Sequence, residues 1–416
     1  MVAAEGVYLH TADGGKILDA AGGAIVANIG HGDERVAKAV YEATINCTYV
    51  VPPWLTPSRQ ALADELHDHW LGDDFAHIHI TSGGSEAVEA AVKIALQYQA
   101  AINQPQRTRI ITREISYHGT TLATTAFSGH PARKKGLTQA LGENPVTETP
   151  YLLRCAANDP GDYYVQSLEA LIVREGAENI AAFLAEPITG SSGGALVPPD
   201  NYWPQVQALC KANGILIIMD EVMTGFGRTG TNFGYQHWNF TPDILIAGKG
   251  LAGGYAPLGG VYAPSRVAEP IFEAGFNVMF HTFGAHPAAC AAAASVLKIL
   301  RVENLVERAR VMGDKLHNKL VETLGAHECV AEVRGKGLLQ AVEIVANRTT
   351  LEPFALDANI TGKIVNEGLK RGVFFYGGGT GDVRDIVCLG PPFILSDADI
   401  DTMAQVLHDA INAALP

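Results

Sequence analysis

The sequence has no long apolar run and no export signal. No segment approaches the roughly 18 consecutive apolar residues that a transmembrane helix needs. The opening stretch MVAAEGVYLHTADGG also lacks the basic region and apolar core of a secretory signal peptide. The sequence therefore predicts no membrane partner.

Strongly basic stretches are also missing. The chain carries 30 Lys and Arg against 44 Asp and Glu, a net charge of -14, and its longest basic cluster is RKK at 133–135. Because nucleic acid phosphates require a basic surface, we expect no nucleic acid partner.

Cysteines are few and scattered. The six have no CxxC spacing, which is typical of free thiols in a reducing compartment and favours a cytoplasmic protein. His77 and His79 have no second ligand pair to accompany them, so no metal site is predicted.

The 416 residues, 47% apolar and 18% charged, indicate a folded chain of two or three domains. Between about 60 and 290, short apolar runs alternate with helix-like stretches. Such alternation predicts an α/β domain with a largely parallel sheet covered on both faces. The runs are AHIHIT (76–81), RIIT (109–112), AAFLAE (181–186), ILIIMD (215–220), ILIA (244–247) and GGVYA (259–263).

A smaller α+β unit is expected from the two ends of the chain. Two long helices are predicted in 285–325, and Ser396 is a plausible N-cap for a final helix. An N-terminal hairpin is expected to pack with this unit. The predicted division is 1–35 for the N-terminal part of the small domain, 36–290 for the large domain and 291–416 for the rest of the small domain.

Ligands of open α/β sheets bind at the carboxyl ends of the strands. After the run that ends at 81, the sequence SGGSEAV places Gly83, Gly84 and Ser85 at the start of a helix. Exposed N–H groups and the helix dipole would suit a phosphate there. The alternative is a simple serine N-cap with turn glycines.

Asp220 ends another apolar run, where a desolvated carboxylate needs a cationic or hydrogen-bonding partner. The glycines 225, 227 and 230 that follow match G-x-G-x-x-G, so an NAD-dependent oxidoreductase is an alternative. The match is poor, because an aromatic, turn-rich segment follows instead of an apolar helix.

Lys249 follows the run ILIA and stands among glycines in GKGLAGG. It is either an ordinary solvated lysine or a desolvated amine with a lowered pKa that can act as a nucleophile. A phosphate site, a buried aspartate and a reactive lysine together are the three anchors that pyridoxal phosphate requires.

Four ordered blocks resemble the signatures of class III pyridoxal-phosphate aminotransferases of fold type I. The resemblance covers nearly the whole chain and implies a large domain with a mostly parallel, seven-stranded type of sheet, plus a smaller α+β domain from both termini. The blocks are EPITGSSGG (186–194), LIIMDEVMTGFGRTG (216–230), PDILIAGKGLAGGYAPLGG (242–260) and HTFGAHPAA (281–289).

The resemblance implies roles for individual residues. Lys249 would form the Schiff base with the cofactor and move the proton between substrate and cofactor, and Asp220 would pair with the pyridinium nitrogen. Thr282 would reach the phosphate of a neighbouring subunit, which implies a homodimer with shared active sites.

In SYHGTT (116–121), the resemblance implies that Tyr117 stacks on the cofactor ring, with Val222 on the opposite face and Glu186 near the ring hydroxyl. The implied catalytic residues are Lys249, Asp220 and Tyr117. The implied cofactor contacts are Gly83, Gly84, Ser85, Tyr117, His118, Glu186, Asp220, Val222, Lys249 and Thr282.

Thr120 stands where ornithine and 4-aminobutyrate enzymes usually have an arginine. The block therefore resembles the ω-amino acid or amine:pyruvate transaminases, and also the diaminopelargonate synthases. Arg384 is a candidate for binding a substrate carboxylate, or else an ion-pair partner of a neighbouring aspartate. Tyr49 and Trp54 are candidate pocket walls, or else core residues.

The favoured function is a two-step transfer of an amino group from an amine or ω-amino acid donor to a keto acid such as pyruvate. A racemase or aminomutase would use the same Lys249 and Asp220. A protein of another class, one that binds the cofactor without catalysis, would not be expected to keep Lys249, Asp220, Tyr117 and Thr282 together.

Overall fold

The computed structural model describes residues 1–276 and 280–415. The strands β1 to β15 are Ala3–Glu5, Tyr8–His10, Lys16–Asp19, His77–Thr81, Arg109–Arg113, Val146–Thr147, Ile180–Ala185, Leu216–Asp220, Ile244–Ala247, Gly259–Ala263, Val330–Lys336, Leu339–Ile344, Val373–Phe374, Tyr376–Thr380 and Val383–Leu389. The helices α1 to α13 are Gly22–Ile25, Glu34–Asn46, Pro57–Leu66, Gly84–Ala101, Leu122–Phe127, Pro131–Lys134, Pro160–Glu175, Tyr202–Ala212, Ser265–Glu273, Pro287–Val302, Leu305–Leu324, Ile360–Lys370 and Asp397–Ala414.

The large sheet has seven strands in the order β4-β10-β9-β8-β7-β5-β6. All neighbouring pairs are parallel except the two that involve β10, which runs antiparallel to β4 and β9. Strands β7, β8 and β9 are buried along their whole length, as expected for strands covered by helices on both faces. The predicted mostly parallel α/β sheet is confirmed.

The carboxyl ends of the parallel strands lie along one edge of this sheet. Strands β8 and β9 are adjacent and in register, with Asp220 opposite Ile246. The segments that follow β4, β5, β7, β8 and β9 therefore emerge side by side. This arrangement brings together residues that are far apart in the sequence.

Two smaller sheets lie outside the large one, in the orders β1-β2-β3-β13 and β11-β12-β15-β14. Strand β3 pairs in parallel with β13, with Leu18 opposite Val373, so the N-terminal hairpin joins the C-terminal part of the chain as expected. The domain boundaries themselves stay a prediction.

The final helix α13 begins at a capping box. The Ser396 hydroxyl accepts from the N–H of Asp399 at 3.2 Å, and the Asp399 carboxylate accepts from the N–H of Ser396 at 2.8 Å. The apolar positions Ile400, Met403 and Leu407 are buried on one face.

No described helix is long and apolar enough to cross a bilayer. Over the same residues, no group of three or more His, Cys, Asp or Glu side chains is placed to hold a metal ion.

Candidate active site

A cavity of about 210 Å³ opens at the carboxyl edge of the large sheet. It brings together eight of the residues predicted to form a cofactor site. Its lining residues are Gly84, Ser85, Tyr117, His118, Gly119, Glu186, Ser191, Asp220, Val222, Met223 and Lys249. A larger cavity of about 550 Å³ lies between α2, α3 and α10, but none of the predicted site residues lines it.

Lys249 lies in a one-turn helix, Lys249–Leu251, directly after β9. Its φ of 37° lies in the left-handed region, where a residue with a side chain is strained, and such strain is often found at functional sites. A Cβ at Gly248 would lie 3.2 Å from Val222, so the close approach of these segments favours glycine there. The glycines therefore allow tight packing around the lysine.

Lys249 lines the cavity and is half-buried. Burial lowers the pKa of Lys249 below its usual value, and the charges of Asp220 and Glu186 oppose this shift. A larger fraction of the amine is therefore neutral near pH 7 than in a solvated lysine. A neutral amine can act as a nucleophile toward a carbonyl carbon.

Asp220 is buried at the end of β8, and described residues hydrogen-bond to both of its carboxylate oxygens. Oδ2 lies 2.7 Å from Nδ1 of His118, and Oδ1 accepts from the N–H of Val222 at 3.1 Å. The other ring nitrogen of His118, Nε2, is buried without a partner among the described residues. The pair fixes the orientation of the carboxylate beside the cavity.

Glu186 follows β7 and is also buried. One carboxylate oxygen accepts from the N–H of Gly190 at 2.9 Å, and the other from the N–H of Tyr117 at 3.4 Å. Burial raises the pKa of Glu186, while the nearby His118 lowers it. Its contact with the Tyr117 backbone ties the segment after β5 to the segment after β7.

Helix α4 begins at the cavity with Gly83 as its N-cap, and no side chain caps it. The first N–H groups of such a helix need an acceptor, so the helix start is suited to an anion. Gly119 lies against this turn with a φ of 136°, and a Cβ there would be 2.4 Å from the Ser85 hydroxyl. The Ser85 hydroxyl in turn accepts from the N–H of Thr120 at 3.1 Å.

These groups fit pyridoxal phosphate. The uncapped start of α4 suits the phosphate, the buried Asp220 suits a protonated pyridine nitrogen, and the Lys249 amine suits the aldehyde. Tyr117 and Val222 both line the cavity and offer an aromatic and an aliphatic surface for a ring.

Five predicted site residues do not line this cavity: Gly83, which is the N-cap of α4 and directly precedes the lining residue Gly84, and four others. Thr282 is exposed, Trp54 is 65% exposed, and the ring of Tyr49 lies 6.2 Å from that of Phe283 on the same outer surface. The proposed roles of these three residues stay predictions.

Arg384 is the fourth. Its Nε and Nη2 donate to the carbonyl of Phe354 at 3.2 and 2.8 Å, and its Nη1 lies 3.6 Å from the Asp382 carboxylate. Substrate binding by Arg384 also stays a prediction, and it would require these bonds to break.

Sequence reasoning did not select Gly119, Ser191 or Met223, which also line the cavity. Each lies in one of the sequence blocks described above, in a loop that follows a strand. Proximity to the carboxyl ends of β5, β7 and β8 was the available signal. The side-chain directions in these loops are set by the fold, so residue type alone could not select them.

Comparison with known proteins places these features in a family. Residues 1–411 match the aminotransferase class-III family. Over 99% of this chain and 91% of its own length, the putrescine–pyruvate aminotransferase of Pseudomonas aeruginosa is 32% identical.

Two solved structures cover nearly the whole chain. A thermostable (S)-enantioselective omega-transaminase from Thermomicrobium roseum is 36% identical with a TM-score of 0.93, over 100% of this chain and 92% of its own. The omega transaminase of Pseudomonas jessenii in complex with PMP is 30% identical, also with a TM-score of 0.93, over 99% and 92% of the two chains.

Proposed function

The chain belongs to the class III aminotransferases, and we propose that the cavity at the carboxyl edge of its large sheet is the active site. The protein is a pyridoxal-phosphate-dependent aminotransferase. One observation carries the proposed location: a single cavity holds the Lys249 amine, the Asp220 carboxylate and the uncapped start of α4.

The residues that would hold the cofactor divide by chemistry. The first turn of α4, with Gly84 and Ser85, would bind the phosphate, and Asp220 would bind the pyridine nitrogen. Tyr117 and Val222 would cover the two ring faces. When bound, pyridoxal phosphate supplies an electron sink that stabilises negative charge on the substrate carbon.

Lys249 would serve first as the nucleophile and then as a base. Its lowered pKa leaves the Nζ lone pair available for attack on a carbonyl carbon. Once the substrate amine has taken its place, Nζ can accept a proton from one carbon and donate it to another carbon.

His118 and Glu186 would act through position. His118 holds the Asp220 carboxylate at 2.7 Å, which keeps a negative charge aimed into the cavity. Glu186 binds the backbone N–H of Tyr117 and so sets the position of the aromatic surface. A fixed ring plane allows the breaking bond of a substrate to be oriented correctly.

We propose that the donor is an amine or ω-amino acid and the acceptor a keto acid such as pyruvate. Support comes from the putrescine–pyruvate aminotransferase and the omega-transaminases to which the chain is similar. Thr120 in the SYHGTT block is typical of the same subgroup, and also of the diaminopelargonate synthases.

The test is a pair of half-reactions followed by visible absorbance. The cofactor-loaded protein is mixed separately with 1-phenylethylamine, β-alanine, 4-aminobutyrate or alanine, with no keto acid present. We expect at least one donor to remove the visible band with release of one equivalent of ketone or aldehyde, and pyruvate to restore it. Loss of chirality in a substrate without carbonyl release would instead indicate a racemase.

We also propose a homodimer in which Thr282 reaches the partner's cofactor phosphate. Support comes from an exposed apolar face on which Thr282 lies. Arg59 joins the loop between α2 and α3 to the segment before α10, because it donates to the carbonyl of Val50 at 2.8 Å and to that of Ala285 at 2.6 Å. Exposed apolar side chains are concentrated in α2, in the loop between α2 and α3 and beside Thr282, and such exposure is typical of a protein interface. The apolar face consists of Tyr41, Ile45, Trp54, Leu55, Phe280 and Phe283.

Sedimentation tests the dimer. Phe283→Asp places a charge on the apolar face, where the side chain is 61% exposed, and should shift the protein from dimer to monomer. Val173→Asp on α7, 78% exposed, is the matched control and should leave the mass unchanged. A wild-type protein that sediments as a monomer would contradict the proposal.

We further propose a cytoplasmic location. Support comes from the six cysteines, all of which are free thiols. Cell fractionation tests it.

A further inference from the structure

A keto acid carries a carboxylate, yet the cavity offers it little positive charge. Among the described residues that line the cavity, Lys249 is the one Lys or Arg side chain. Glu186 and Asp220 place two acidic groups in its depth. A substrate carboxylate is therefore better placed toward the outside of the cavity, near a cation from another segment.

Arg384 is poorly available for this purpose. Two of its guanidinium nitrogens donate to the carbonyl of Phe354, and the third faces Asp382 at 3.6 Å. Breaking these contacts would leave the Phe354 carbonyl without these donors. Another cation is needed.

Arg133 meets the requirement. Its guanidinium carbon lies 4.7 Å from the centroid of the Tyr117 ring, a ring that lines the cavity. The side chain is exposed, and within residues 1–276 and 280–415 no carboxylate lies close enough to form an ion pair with it. Stacking on an aromatic ring leaves the N–H edge of a guanidinium free to bind a planar anion through two hydrogen bonds.

The surroundings of Arg133 connect it with the cavity. Burial raises the pKa of Tyr117 and the charge of Arg133 lowers it, in keeping with the contact between the two side chains. The turn after β14 lies beside α6, because a Cβ at Gly381 would be 3.9 Å from Pro131. Tyr376 lies on β14, and the same strand is tied to the cavity wall by the N–H of Gly379, which donates to the carbonyl of Ser191 at 2.7 Å.

We propose that Arg133 binds the carboxylate of the keto acid acceptor, and of a donor that carries one, beside the Tyr117 ring. This inference rests on the proposed function. The guanidinium is held on the Tyr117 ring when no substrate is present, and its exposed N–H groups form the carboxylate site. An amine donor without a carboxylate has no contact with this site.

The test compares Arg133→Gln and Arg133→Lys with Lys135→Gln, an exposed control on the neighbouring turn that loses the same charge. Arg133→Gln should raise the KM for pyruvate roughly 10- to 100-fold, as expected for loss of a charged hydrogen bond, with kcat little changed. The KM of Arg133→Lys for pyruvate should lie between the values for Arg133→Gln and wild type. The half-reaction with 1-phenylethylamine should be unchanged in Lys135→Gln, and Arg133→Gln should affect it far less than it affects the reaction with pyruvate.

A second arm measures binding alone. Propionate has no reacting group, and its dissociation constant for the cofactor-loaded protein should rise by the same factor in Arg133→Gln, while that of propionamide should not change. An unchanged propionate constant in Arg133→Gln would overturn the inference, as would a rise in Arg384→Gln instead. If wild type reacts with no donor, the proposed function fails, and the propionate arm still decides the role of Arg133.

Discussion

Replacing His118 by leucine should destabilise the cofactor-free protein. The substitution removes the ring nitrogen 2.7 Å from the Asp220 carboxylate and leaves one buried carboxylate oxygen without this donor. An unsatisfied buried group costs about 1–3 kcal/mol. A chain of 416 residues has an unfolding entropy of about 2 cal/mol/K per residue, so the melting temperature should fall by roughly 1–4 °C.

The matched control is His118→Asn, whose side-chain amide can place a donor where the ring Nδ1 was. Thermal melting of both variants is recorded with and without pyridoxal phosphate. Without cofactor, we expect the leucine variant to melt below the asparagine variant. With cofactor, the difference in melting temperature should narrow, because the pyridine nitrogen would then give Asp220 another hydrogen-bonding partner. Equal melting temperatures of the two cofactor-free variants would show that the donor beside Asp220 does not stabilise the protein.

Three further predictions follow from the site. Gly119→Ala would force a methyl to within 2.4 Å of the Ser85 hydroxyl, so the affinity for the cofactor should fall about tenfold in an absorbance titration. Gly142→Ala is the control, because its methyl meets no atom within 4 Å and the affinity should not change. Lys249→Met should raise the melting temperature of the cofactor-free protein at pH 7. Because the pKa of Lys249 is lowered in the folded protein, the unfolded chain binds more protons at this residue than the folded chain does. Wild-type stability should therefore rise as the pH approaches 10.5, and the difference in melting temperature between Lys249→Met and wild type should shrink there. Glu221→Gln should lower the free energy of unfolding by about 1–3 kcal/mol, because its carboxylate accepts from three donors and an amide cannot; denaturant melting measures this.

The sheet could be predicted because its strands are short, apolar and separated by helices. The run ILIIMD became β8, buried along its length. The direction of β10 could not be predicted, because an apolar run such as GGVYA looks the same in either direction. The final helix could be placed because a capping serine and a regular apolar face coincide.

The catalytic centre could be predicted in part, for a physical reason. The carboxyl ends of parallel strands share an edge, so Asp220 after β8 and Lys249 after β9 had to lie near one another. The bond between His118 and Asp220 could not be predicted, because the direction of the His118 side chain is set by the path of the segment after β5. The stacking of Arg133 on Tyr117 could not be predicted either, because both residues lie between β5 and β6 and the fold of that irregular segment brings them together.

Reduction followed by peptide mass spectrometry tests most directly whether Lys249 is the residue that binds the cofactor covalently. Borohydride would fix the cofactor on the lysine that carries it. We expect the peptide containing Lys249 to gain the mass of the reduced cofactor and the Lys249→Met protein to gain none. Cofactor fixed on another lysine of the wild-type protein would contradict this expectation.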